Sequence, residues 1–305
     1  MGRFEIFYRD RASGRLVRER VHAEALLHWL YNTRSGRLAN ALLFRRRFVS
    51  LVNGWIQRRP SSRARIAPFV RQLEIDMSES LRRPEEFESF NAFFTREIDL
   101  SRRPIRASPD VCVAPCDGRV LAYPALGAAD TFRIKRHSFN LARCLGDAAL
   151  ARRFAGGSLL IGRLAMRDYH HFHFSDSGVP GPPRSVPGNY HVGGPYALTH
   201  LVPFYAENHR AVTLLESDHF GLIAMVEIGA MTVGSIRQRF EPGARVEKGQ
   251  RKGWFELGGS TIALVFEEGR IALDADLCAS TQEEIETFVR MGERIGGRPP
   301  ARGSE

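Results

Sequence analysis

The sequence predicts an α+β protein: a basic N-terminal helical segment, taken as residues 1–75, followed by a β-rich domain of barrel- or sandwich-like character over 76–305. Three observations carry this expectation. In the first 75 positions apolar residues recur at three- and four-residue steps, the period of a helix face. From about residue 110 the texture changes to short β-branched runs punctuated by Gly and Pro. Charge divides the chain at nearly the same place. Residues 1–72 hold 16 Arg, no Lys and 4 acidic residues, whereas the whole chain carries a formal +10, so the remainder is close to neutral.

Residues 21–31 read as a first helix. A second is expected over 38–57, where Ala41, Phe44, Phe48, Leu51, Val52 and Trp55 share a stripe that Arg45-Arg46-Arg47 interrupts. Pro60-Ser61-Ser62 ends it, and Ser62 is expected to cap a third helix over 63–73. Such helices suit packing onto the main domain. They equally suit an in-plane membrane position, with arginines at phosphates and Phe and Trp at the acyl boundary. An anionic lipid surface is the expected partner of the basic segment. Nucleic acid is not, because no recognised binding motif accompanies the charge. Met1-Gly2-Arg3-Phe4-Glu5-Ile6 lacks the apolar core of a signal peptide. The apolar stretch 221–236 is interrupted by Glu227 and glycines, so it reads as strands and not as a spanning helix. A peripheral position on the cytoplasmic face of a membrane is therefore expected.

Strands are expected at 111–115, 119–123, 158–164, 211–215, 222–228 and 262–266. The Gly- and Pro-dense stretch 176–195 reads as a long loop with a functional role, and 296–305 as a frayed tail. Cys112, Cys116, Cys144 and Cys278 match no zinc spacing and are expected as reduced thiols.

Five places carry residue types suited to chemistry. In 253–266 two glycines, Gly258 and Gly259, run into Ser260-Thr261 and then an apolar strand. A glycine admits close approach, so the Ser260 hydroxyl could attack the carbonyl before it; a bulge entering a buried strand explains the same residues. Pro115-Cys116-Asp117-Gly118 reads as a turn, or as a carboxylate that orients a histidine. Tyr169-His170-His171-Phe172-His173 places three of the ten histidines in four positions. Zinc ligation by His171 and His173 is one reading and acid–base work is the other. Gly234-Ser235 is a second Gly-Ser step, and Asn208-His209-Arg210 is either a site element or a turn. A lipoyl-like carrier module over 243–269 is the weakest alternative, since Lys248 lies off the expected hairpin tip.

Taken in order, these blocks resemble the phosphatidylserine decarboxylase proenzymes. The resemblance rests on Phe90-Asn91-Ala92-Phe93-Phe94-Thr95-Arg96-Glu97, Pro115-Cys116-Asp117-Gly118, Asp168-Tyr169-His170-His171-Phe172-His173, Val233-Gly234-Ser235 and Phe255-Glu256-Leu257-Gly258-Gly259-Ser260-Thr261. It implies self-cleavage between Gly259 and Ser260 into fragments 1–259 and 260–305, with Asp117, His173 and Ser260 as the relay. It implies a covalent pyruvoyl cofactor derived from Ser260, with no metal, and His170 at the decarboxylation step. The implied substrate is phosphatidylserine, at a membrane that the N-terminal helices engage. A homodimer and a soluble amino-acid substrate stay open. The chain departs from the family pattern at His171, where a basic residue is usual, and at Phe174-Ser175-Asp176, where a proline is usual.

Overall fold

The structure, a computed structural model, describes residues 5–22, 24–39, 47–127, 131–134, 137–189, 204–229, 236–257 and 260–300. The chain opens with a hairpin, β1 (Phe7–Asp10) and β2 (Leu16–Arg18), before any helix. Helices α1 (Glu24–Asn32), α2 (Arg34–Ala39), α3 (Arg47–Gln57), α4 (Ile66–Leu73) and α5 (Phe90–Phe94) follow. The β-rich part contains β3 (Val111–Val113), β4 (Gly118–Tyr123), β5 (Thr131–Ile134) and β6 (His137–Asn140). Two short helices, α6 (Leu141–Leu145) and α7 (Ala148–Arg153), lead into β7 (Ser158–Leu164) and β8 (His171–His173). Next come β9 (Gly178–Pro180), β10 (Arg184–Val186), α8 (Phe204–Glu207), β11 (Arg210–Ser217) and β12 (Gly221–Gly229). The last elements are β13 (Ile236–Gln238), β14 (Arg251–Phe255), β15 (Ser260–Phe266), β16 (Ala272–Leu273), α9 (Ala275–Gln282), β17 (Glu286–Val289) and β18 (Arg294–Gly297).

The α+β class is as expected. The β-rich part is a large mixed sheet that is not closed into a barrel. Ten strands take part, in the order β10-β11-β12-β15-β7-β4-β17-β1-β2, with β9 also on β11. All neighbours are antiparallel except β1 on β17. Two three-stranded sheets, β13-β14-β8 and β16-β18-β3, accompany it.

Burial on both faces explains why β15 reads as an unbroken apolar run. Ile262, Leu264 and Phe266 enter one core with Phe172, Phe174, Phe255 and Ile295. Ala263 and Val265 enter the opposite core with Leu145 and Phe154. Successive strand residues face opposite sides, so a strand covered on both needs apolar residues at every position. A third core joins Phe69 and Leu73 of α4 to Phe90, Phe93 and Phe94 of α5 and to Leu257. The phenylalanines meet edge to face, Phe69 and Phe90 at 4.9 Å and 87°.

Three local expectations are corrected. Ser62 caps no helix. It lies inside a 3-10 turn (Pro60–Arg65), where its hydroxyl donates to the Arg59 carbonyl and accepts from Phe90 N at 2.9 Å. The tail is ordered as far as β18, because Gly296 and Gly297 pair with Cys112 and Val111. The 176–195 stretch contains β9 and β10, each paired with β11, with its remainder after 189 outside the described residues. Of the 38–57 stripe, positions 41 and 44 lie outside the described residues, and Val52 and Trp55 are exposed on α3. All four cysteines are free thiols.

Leu264 is fully buried at the centre of the sheet. Leu264→Ala should lower unfolding free energy by about 2–5 kcal/mol. Urea denaturation followed by circular dichroism measures it, and a change within error would mean that this strand is not the core of the fold.

Candidate active site

The histidine cluster is assembled by three backbone segments. Ser89 caps α5, its hydroxyl accepting from Ala92 N. The helix delivers Phe94 onto the His170 ring at 3.9 Å between centroids. Just past it, the Thr95 carbonyl accepts from His171 Nε2 at 2.9 Å. Asn91 Oδ1 accepts from Leu257 N, so the same helix also holds the approach to Ser260. Strand β8 pairs with β14, opposing His171 to Trp254 and His173 to Arg251. The turn before β4 supplies the Pro115 carbonyl, which accepts from His173 N at 2.8 Å.

Carbonyl oxygens only accept, so each nitrogen facing one carries the proton. His170 donates from Nδ1 to the Asp168 carbonyl at 2.9 Å. His173 donates from Nδ1 to the Gly249 carbonyl at 2.8 Å. Both therefore present Nε2 as a lone pair. At His173 that lone pair faces the Tyr169 hydroxyl at 3.3 Å. At His170 it is buried without a hydrogen-bond partner. Tyr169 lies flat against His171, with centroids 4.8 Å apart and 2° between planes. Burial lowers the pKa of His170 to about 3 and of His171 and His173 to about 4. All three are neutral bases near neutral pH.

Asp117 is nearly fully buried and its carboxylate is fully engaged. Arg103 donates to it from Nε at 3.0 Å and from Nη2 at 2.7 Å, and Met291 N donates at 2.8 Å. Its negative charge is among the causes that raise the proton affinity of His173, against the larger lowering by burial. The hydrogen bond on His173 Nδ1, however, goes to Gly249 and not to Asp117.

Ser260 is the first residue of β15 and is buried, opposite Gly229 on β12 and Leu164 on β7. Beside it Thr261 opposes Arg163, and Arg163 opposes Arg119 next to the Asp117 turn. The sheet thus places Ser260 at the start of β15 and the Asp117 turn at the start of β4, two strands away. Gly258 and Gly259, and the second Gly-Ser step at 234–235, lie outside the described residues. Asn208 Nδ2 donates to the Gly229 carbonyl at 2.7 Å, and Gly229 N donates to the His209 carbonyl. The 208–210 block therefore supports the residue opposite Ser260.

Sequence reasoning missed a buried charge network under this site. Arg163 donates to Glu19 and to Glu286, with contacts from 2.6 to 3.1 Å. Arg119 pairs with Asp168 and stacks between Tyr8 and Phe288. The ion-paired partners of Arg163 lie up to 144 positions from it, and no local spacing announces them. Lys252 is another buried cation, held by Glu227, Thr213 and Gln238.

No three His, Cys, Asp or Glu side chains come together as a metal cage among the described residues. Lys248 is not a swinging carrier arm, because its ammonium donates to the carbonyls of Ser108 and Val111. β14 and β15 also lie in different sheets, so 243–269 forms no lipoyl-like unit.

Known proteins resemble this chain over most of its length. The profile of the family "Phosphatidylserine decarboxylase" matches residues 90–297. A phosphatidylserine decarboxylase proenzyme of Chlamydia trachomatis serovar D is 40% identical over 294 residues, covering 96% of this chain and 98% of the relative. Those of Chlamydia felis (40% over 289 residues, 95% and 97% covered) and Fusobacterium nucleatum (38% over 292 residues, 96% and 97% covered) are similar. With a buried serine opening a central strand, two neutral histidines presenting Nε2, and these matches over nearly its whole length, the chain belongs to the phosphatidylserine decarboxylase family.

Proposed function

We propose that the chain is a self-processing carboxy-lyase that converts phosphatidylserine to phosphatidylethanolamine and carbon dioxide. Family membership over nearly the full length supports the reaction, and the observation that carries the chemistry is the pair of carbonyl-fixed neutral histidines. A serine hydroxyl becomes a nucleophile only when a base takes its proton. His173 is that base in this reading. Its Nε2 lone pair is set by the Gly249 carbonyl, and its bond to Tyr169 is long enough to exchange. Asp117 contributes negative charge near it and is held rigidly by Arg103. Ser260 Oγ attacks the Gly259 carbonyl, and the amide becomes an ester. Elimination then cuts the chain and leaves dehydroalanine at position 260. Water converts that residue to a pyruvoyl group with loss of ammonia.

The residues present suit such a group. Ser260 is buried and its strand is paired on both edges. The His170 carbonyl accepts from Phe255 N on the approach to Ser260, and its orphaned Nε2 can hold or deliver a proton. A pyruvoyl ketone supplies the electron sink for loss of carbon dioxide from an amino acid. Phe94 against His170 keeps water from the imidazole. Both fragments remain together in this reading, since residues 260–305 supply the central β15 and also β17 and β18.

The division at about residue 75 is part of the same proposal, with the preceding helices lying on the cytoplasmic face of a membrane. Leu26, Trp29, Leu38, Trp55 and Ile56 are exposed on α1, α2 and α3, and Arg59 stacks on Trp55 at 3.5 Å. Apolar tips with arginines beside them suit the headgroup boundary of an anionic bilayer. No described helix is long and apolar enough to cross a membrane.

Ser260→Ala should give one uncleaved, inactive chain, and His173→Ala should block cleavage. Asp117→Ala should slow it by at least about tenfold. Intact mass spectrometry beside a carbon dioxide release assay decides the matter; an active but unbroken wild-type chain would reject the proposal. Acid should also weaken the fold. The three histidines have an ordinary pKa of 6.5 and folded values near 3 to 4. The unfolded chain then binds more protons in between, so stability falls as pH drops from 6.5 towards 4. The melting temperature should begin to decline near pH 6.5, above the range in which carboxylates titrate; a profile flat to pH 5 would contradict the burial of these rings.

A further inference from the structure

Beside the histidine cluster lies a second feature that the processing chemistry does not use. A cavity of about 160 Å³ opens between the first hairpin, the turn at 75–79 and the ends of β4 and β17. Arg96, Arg119, Asp117, Asp168 and Tyr169 line its buried part, and Arg290 stands exposed at its mouth. The cavity thus shares Asp117 and Tyr169 with the candidate active site.

Its lining carries five guanidinium groups against four carboxylates. The pairing pattern says more than the count. Arg103 takes both Asp117 and Glu79, and Arg119 takes Asp168 and, at 3.7 Å, Glu19. Arg96 has no ion pair among the described residues. Its Nη2 donates to the carbonyls of Arg167 at 2.8 Å and Asp168 at 3.3 Å, while its Nη1 is buried without any acceptor. Arg119 Nε also makes no hydrogen bond, but it faces the buried Glu19 carboxylate at 3.7 Å and so already has an anionic partner. Buried polar atoms are nearly always satisfied, and the orphaned Arg96 Nη1 on this cavity is an exception with a direction: it asks for an acceptor oxygen. Burial without a carboxylate also draws the Arg96 pKa down to about 10, a penalty that a bound anion would offset.

We propose that this cavity is an oxyanion subsite that takes the phosphodiester of the lipid headgroup, with Arg96 as its floor and Arg290 at its entrance. The assignment to the lipid rests on the decarboxylase reading above. Guanidinium forks match phosphate oxygens in geometry and charge. The carboxylate of the same headgroup is the poorer occupant. Its charge is discharged in the reaction, so a guanidinium on it would hold the ground state and raise the barrier. The phosphodiester keeps its charge from substrate to product. Arg96 also shares the Asp168 carbonyl with His170 Nδ1, so an anion seated there adjoins the proposed proton carrier.

Calorimetric titration of the full-length Ser260→Ala chain tests this. That chain forms no ketone, so only non-covalent binding is read. Glycerophosphoethanolamine should bind at least about tenfold more tightly than ethanolamine. Arg96→Gln should remove most of that difference, and Arg290→Gln should weaken binding about threefold. Circular dichroism verifies folding; Arg290 is exposed and, among the described residues, ion-paired only with Glu79, so its variant keeps the test valid if Arg96→Gln fails to fold. Inorganic phosphate is titrated in parallel. Binding of phosphate but not of the diester, weakened by the same variants, supports the oxyanion site with free phosphate as its source. If neither anion binds, or both bind equally well in all the chains, the proposal is overturned. Loss of this subsite would leave the carboxy-lyase reading standing, which carbon dioxide release from the wild type decides separately.

Discussion

Double-sided pairing of β15 is the constraint on which the rest of the structure depends. Its seven residues are hydrogen-bonded to β12 on one edge and β7 on the other, and both its faces are covered by core. A strand in that position cannot be withdrawn without exposing apolar surface on two faces and breaking two ladders. Ser260 is its first residue, so the hydroxyl proposed to react has the position of a core atom although the two residues just before it are glycines. Rigidity after the serine combines with glycine in the sequence before it, where a side chain would obstruct the attack proposed above. A chain cut just before Ser260 would keep every ladder pair of β15.

The histidines show the same preference for backbone over side-chain control. In a hydrolase triad a carboxylate fixes the tautomer of the base. Here a main-chain carbonyl does so for each of His170, His171 and His173. A carbonyl fixes the tautomer without adding a full negative charge, so burial dominates and the rings stay neutral. Asp117 is thereby freed from holding an imidazole and is spent on Arg103 and Met291 N. Its influence on His173 is through space. An aspartate in this position can be indispensable for building the site even where it does not touch the base.

Much of this was legible from residues alone, for identifiable reasons. The central strands were readable because burial on both faces writes an uninterrupted apolar run, as in 158–164 and 262–266. The histidine cluster, Asp117 and Ser260 were readable because each sits in a short local motif. Ser62 was misread because a serine before a helical pattern usually caps it, while here Phe90 N claims the hydroxyl across 28 positions. The first hairpin went unseen because β1 is set by partners on β17, near the far end of the chain. Arg96 could be quoted within a motif, but its lack of a carboxylate is a fact of three dimensions.

The buried charges bear on why the two products of cleavage would act as one enzyme. Arg163 lies before the proposed cut, as does Glu19, yet it divides its guanidinium between Glu19 and Glu286, which lies after the cut. Asp117 accepts from Arg103 before the cut and Met291 N after it. Each of these groups is nearly inaccessible to water, so separating the fragments would strand ions in a medium that cannot solvate them. Apolar contacts alone would hold the fragments but would tolerate slippage of one strand past the next. Bidentate ion pairs do not, because a shift of one residue misplaces every donor. The network also reaches Glu19 beside the N-terminal hairpin, so the same arginine that locks the small fragment locks the segment leading to the exposed helices. Position of the serine, seating of the histidines and attachment of the N-terminal segment are in this sense a single electrostatic arrangement.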